Sequence, residues 1–86
     1  LIPYSFLEAV QNQNYKLAEG YIDKNLIQAD ETKFKQYFGD INKIYYNCYN
    51  LDKNKVNYTI YTDKYHNYNF YINQDKIIEI EENQLN

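Results

Sequence analysis

The chain contains no Met, no Trp and no Arg, and only one Cys, one Pro, one His and two Gly in 86 residues. Each scarcity excludes something. A single Cys cannot close an intramolecular disulfide, so the fold must rest on packing, and localisation is not decided by disulfides. One His and one Cys fall short of the ligand sets that hold zinc. Nine Lys that form no run, in a chain of formal charge −3, give no basic patch for phosphate contacts, so nucleic acid is not an expected partner. No stretch approaches the roughly 20 apolar residues of a membrane span. Because Met is absent altogether, Leu1 reads as the start of a processed or excised chain. Any leader or anchor is expected upstream of it, and membrane attachment only through that segment.

What is present is equally lopsided. Asn (13), Tyr (12), Ile (10) and Lys (9) supply 44 of the 86 residues, and all four have A/T-rich codons. This points to an AT-rich genome, such as that of a low-GC bacterium or its mobile elements, and allows part of the Tyr and Asn excess to be mutational. The length fits one domain, residues 1–86, with one modest core. Hydrophobic residues make up 44%, but twelve of them are amphipathic Tyr, so the aliphatic core is thinner than that figure suggests.

Periodicity divides the chain in two. In the first part Ser5-Phe-Leu-Glu8 has the form of a capping box after Pro3, and Phe6, Leu7 and Val10 share a helical face. The run Gln11-Asn-Gln-Asn14 predicts a break, with Asn14 capping a second turn that carries Leu17, Ala18, Tyr21 and Ile22. Leu26 and Ile27 are expected to dip into the core. Asp30 reads as the cap of a third helix over Glu31–Phe38, with Phe34, Tyr37 and Phe38 as its apolar edge and Gly39 as a left-handed terminator.

After Gly39 the period falls to two. Ile44, Tyr46 and Cys48 alternate with Tyr45, Asn47 and Tyr49; Val56, Tyr58, Ile60 and Thr62 alternate with Asn57, Thr59 and Tyr61. Tyr68, Phe70 and Ile72 alternate with Asn69, Tyr71 and Asn73, and Ile78 and Ile80 with Glu79 and Glu81. Residues 50–55, 63–67 and 74–75 connect the strands. The expected fold is α+β, with N-terminal helices packed on one face of a curved four-stranded antiparallel sheet in meander order.

This order of elements resembles small NTF2-like, or cystatin-like-fold, domains. Phe6, Leu7, Ala9, Val10, Asn14, Tyr15, Ala18 and Tyr21 match the helix with which such domains commonly open. Asn73-Gln-Asp-Lys-Ile77 is similar to their closing hairpin, with Asp75 where the family usually has Gly. The resemblance implies a cone-shaped sheet wrapped on a helix, in a family that includes enzymes, ligand binders, dimerisation modules and bacterial lipoproteins. It also implies an extracytoplasmic setting, secreted or membrane-anchored in the cell envelope. The Q-x-V-x-G wedge of cystatin-type inhibitors is absent.

An enzyme of this kind needs an acid or base inside the cone, and the inward positions given by alternation hold none. His66 falls in a connecting loop, Cys48 on the inward face as a small buried hydrophobe, and Asp63 outward at a strand end. Asp52 and Asp63 lack calcium-loop spacing. Glu79, Glu81 and Glu82 suit an edge guarded against strand pairing. No cofactor is expected. Two aromatic sets then compete. Outward, Tyr45, Tyr49, Tyr61 and Tyr71 form a stripe suited to a protein partner or a homodimer. Inward, Tyr46, Tyr58 and Tyr68 could line a ligand pocket or an enzymatic cone. The first reading, a non-enzymatic binding or assembly module, is the expectation; an immunity or inhibitor protein of a mobile element is a third possibility.

Overall fold

The computed structural model of the protein describes residues 1–26 and 31–85. Among them are three helices, α1 (Ile2–Gln11), α2 (Tyr15–Glu19) and α3 (Glu31–Phe38), followed by four strands. The strands are β1 (Lys43–Asn50), β2 (Lys55–Tyr61), β3 (Tyr65–Asn73) and β4 (Lys76–Asn83), paired antiparallel in the order β1-β2-β3-β4. This is the expected α+β meander, open rather than closed into a barrel.

α1 begins earlier than the capping box implies. Leu1 is its cap and Pro3 sits in its first turn, where a missing N–H costs nothing; Ser5 is already helical, its N–H donating to the Leu1 carbonyl at 3.0 Å. The break falls at residues 12–14, with Gln13 at φ 60°. The Asn14 side chain accepts from the Leu17 N–H at 3.3 Å and caps α2. Gly39, at φ 76°, ends α3 in the left-handed conformation. The expected cap Asp30 and the core contact of Ile27 lie outside the described residues.

The helices lay Phe6 and Phe34 over the inner face of the sheet. Phe6 is the hub: its ring centroid lies 5.4 Å from Phe34, 5.5 Å from Phe38 and 6.3 Å from Phe70, all steeply tilted. Val56, Tyr58, Ile60, Tyr68, Ile77 and Ile80 close the core from the sheet side. Burying a side chain such as Phe6 contributes roughly 1.5–3 kcal/mol, so a few such residues dominate a domain of this size.

Two bulges shift the alternation. One lies in β1 between Tyr46 and Cys48, so that Cys48 stands opposite Asn57 and Tyr49 opposite Val56. Cys48 is therefore exposed on the outer side, not buried, and Tyr49 leaves the outward row. The other lies in β4, where Tyr71 opposes Glu79 but Ile72 opposes Ile77. Ile77 is fully buried, while Ile78, expected in the core, is 41% exposed. His66 is not in a loop; it lies in β3, opposite Ile60.

The sheet's two edges differ. The start of β4 is hooked to the segment after α2 by a parallel bridge between Ile22 and Ile77: the Asp23 N–H donates to the Ile77 carbonyl (2.7 Å) and the Ile77 N–H to the Tyr21 carbonyl (2.8 Å). The Lys76 ammonium donates to the Gly20 carbonyl beside it. Among the described residues β1 pairs only with β2, and its inner row is incompletely covered: Ile44 is half-buried and Tyr46 is 51% exposed.

Candidate functional site

The outward face is built from side chains that the register places in cross-strand rows. Asn57 and Asn67 exchange reciprocal amide bonds at 2.9 Å, and Asn57 also donates to Asn69 Oδ1 at 2.8 Å. Asn47 Nδ2 donates to Asn57 Oδ1 and Thr59 Oγ1, each at 2.8 Å, and Asn67 Nδ2 to Thr59 Oγ1 at 3.0 Å. Asn69 Nδ2 reaches Glu81 Oε1 at 2.9 Å and Asn83 Nδ2 reaches Asn67 Oδ1 at 2.8 Å. The result is an amide lattice across all four strands. Its donors are spent largely on one another, so it forms a stiff polar wall and offers a ligand little.

The outward tyrosines lie at the ends of this lattice and do not form one stripe. Tyr45 and Tyr61 come together with Tyr65, whose ring lies 6.4 Å from Tyr45 and 4.8 Å from Tyr61. Tyr65, expected in the connection 63–67, opens β3 instead, on the outward parity of Asn67, Asn69 and Tyr71. Tyr71 sits at the opposite end, its hydroxyl donating to Glu81 Oε1 at 3.4 Å. Tyr49 is carried off by the bulge and bonds Asn54 Oδ1 at 3.2 Å. The structure thus brings together two of the four stripe residues and adds a third.

The inward set is aligned in one row, Tyr46 opposite Tyr58 and Tyr58 opposite Tyr68. Tyr58 and Tyr68 are sealed, in ring contact with Phe70 at 6.0 Å and Phe38 at 5.4 Å respectively, and Phe6, Phe34 and Phe70 are themselves fully buried. Burial, with Tyr46 and Tyr4 nearby, pushes the Tyr58 phenol up to about 12. Burial, helped by the Glu82 charge and Tyr37, raises that of Tyr68 further. The Tyr58 hydroxyl is buried with no hydrogen-bond partner among the described residues. Phenols held this far above neutrality stay protonated, so they can donate but cannot serve as bases.

One pairing was not visible in the sequence. Glu82 lies opposite Tyr68, on the inner parity, and its Oε2 stands 3.4 Å from His66 Nδ1. The pair sits in a shallow concavity of 260 Å³ with Lys64, Tyr65, Asn83, Gln84 and Leu85. Among the described residues no group of three His, Cys, Asp or Glu is arranged to hold a metal ion. Glu81 and Glu82 are thus both engaged, one by Asn69 and one by His66. Comparison with known proteins returned no matching family model, no matching curated protein and no matching solved structure.

Proposed function

We propose that the protein is a non-enzymatic binding or assembly module whose contact surface is the end of the outward face formed by the start of β1, the end of β2 and the start of β3. The observation that carries this is the convergence of Tyr45, Tyr61 and Tyr65 beside an amide lattice that is already saturated. Rigid rings with a polar tip contribute contact area at small entropic cost, which suits them to protein surfaces. The resemblance to small NTF2-like domains supports placing the module in a bacterial cell envelope, secreted or as a lipoprotein; fractionation of the native host tests that part. A Tyr-lined pocket is a second reading, favoured only by the unpaired Tyr58 hydroxyl.

Replacing Tyr45, Tyr61 and Tyr65 together by Ser tests the main reading. Self-association, measured by sedimentation velocity, or capture of a partner should weaken while the circular-dichroism spectrum and cooperative melting persist. Unchanged association and unchanged capture in a folded variant would sink it.

A further inference from the structure

We propose that the β1 edge is filled by the free half of β4 from a second copy, continuing the sheet from molecule to molecule. This rests on that contact surface, to which β1 contributes Tyr45, and names its occupant. The two edges are guarded unequally. β4 carries Glu79, Glu81 and Glu82, and its first half is hooked at Ile77 by the segment after α2. β1 carries one charge, Lys43, and its second half is bent by the bulge. Among the described residues the regular, unhooked halves are therefore 43–46 and 79–83.

These halves match in three respects. In a four-stranded meander β1 and β4 run in opposite directions, so a copy placed beside the first presents β4 antiparallel to β1. The register that sets Lys43 opposite Glu81 also sets Ile44 opposite Ile80 and Tyr45 opposite Glu79. Ile44 and Ile80 both belong to inner rows, and the other four residues to outer ones. Charge agrees as well, because the one charge of β1, Lys43, meets Glu81 in this register and the free half of β4 is acidic. β1 pairing antiparallel with its own copy would instead set Lys43 beside the uncharged far half of the other β1, with no opposite charge to meet it. Such a contact is head-to-tail, so it gives rings or open chains rather than a closed twofold dimer.

The test is a charge swap followed by sedimentation velocity over a wide concentration range. Wild-type protein should form species beyond the dimer that weaken with salt. Lys43→Glu and Glu81→Lys should each weaken association roughly tenfold. An equimolar mixture of the two should recover it, because each supplies the edge that the other needs. Recovery requires both variants to be folded, which separates the effect from any loss of the Glu81 bonds to Asn69 and Tyr71; Glu79→Lys is the second variant for that edge.

A wild-type protein that stays monomeric at every concentration overturns the inference. So does association sensitive to Lys43→Glu alone, which would mean β1 pairing with itself, and so does a mixture that fails to recover. If association ignores both charge variants but is lost in the Tyr45, Tyr61, Tyr65 triple variant, only this inference falls and the aromatic contact surface stands.

Discussion

Tyr58→Phe should make the protein more stable. The Tyr58 hydroxyl is buried among Tyr4, Tyr46 and Phe70 with no hydrogen-bond partner among the described residues. An unsatisfied buried hydroxyl costs about 1–3 kcal/mol, and its removal leaves the ring packing intact. The expected gain is ~1–2 kcal/mol, or roughly 5–10 °C in Tm for a domain of this size. The substitution also has a signature in pH. A phenol raised from 10.0 to about 12 is protonated in both states below pH 10, so its full contribution to stability is present there. Between pH 10 and 12 the unfolded chain ionises first, and stability falls as pH rises through that window, by up to roughly 2–3 kcal/mol for this group. Tyr68 acts in the same direction, so the alkaline limb should become shallower in the variant rather than vanish. Urea unfolding at pH 7 and at several points above pH 10 measures both effects. A variant less stable than wild type at pH 7, or one with an unchanged alkaline limb, would refute the reasoning.

The hairpin between β3 and β4 turns on Gln74 and Asp75, both at positive φ (51° and 62°). Replacing them with Asn-Gly, the pair such a turn prefers, should raise stability by ~1 kcal/mol in denaturant titrations without altering the fold. Asn57→Ala removes the node of the amide lattice, which makes two donor and two acceptor bonds. A loss of ~1–2 kcal/mol is expected on thermal melting, and an unchanged Tm would mean water replaces the node at no cost. Cys48 should react with a thiol reagent in the native protein at close to the rate of the denatured chain, because it projects from the exposed edge strand; strong protection would contradict the bulge.

Much of the architecture follows from local chemistry that a sequence displays. The polar run at residues 11–14 ends one helix and its last Asn caps the next. Gly39 closes α3 at a backbone angle that favours glycine, and the switch from period 3.6 to period 2 locates the sheet. The errors have a common cause. A bulge adds one residue and reverses every parity after it, yet leaves no mark in the pattern of residue types. Ile77 and Ile78 are chemically identical, so only the pairing of Ile72 with Ile77 decides which of them is buried. The same reversal moved Cys48 outward and Tyr49 out of its stripe. The His66 and Glu82 pair depends on β3 beginning at Tyr65, three residues earlier than the polar run 63–67 suggests, which sets His66 on the same inner side as Glu82. Contacts of this kind are set by pairing across strands, not by neighbours along the chain.

The Asn abundance is where composition and structure separate most usefully. An AT-rich genome raises the supply of Asn codons everywhere, and a supply effect alone would scatter Asn over both faces of the sheet. The seven Asn that lie in strands, Asn47, Asn50, Asn57, Asn67, Asn69, Asn73 and Asn83, all fall on the outward parity. Five of them join one hydrogen-bonded lattice. Inward positions opposite Phe6 and Phe34 exclude an amide because it would be desolvated without partners, at a cost of about 1–3 kcal/mol each. Burial therefore accounts for the side on which the asparagines fall, whatever sets their number. Their junction into a lattice follows from rows in which short amides stand within reach across neighbouring strands. The same reasoning applied to Tyr gives a different result, since tyrosines occupy both faces and both ends of the sheet. Placement by burial leaves Tyr45, Tyr61 and Tyr65 unexplained where it explains Tyr58 and Tyr68, which is why the exposed cluster, and not the tyrosine count, bears on function.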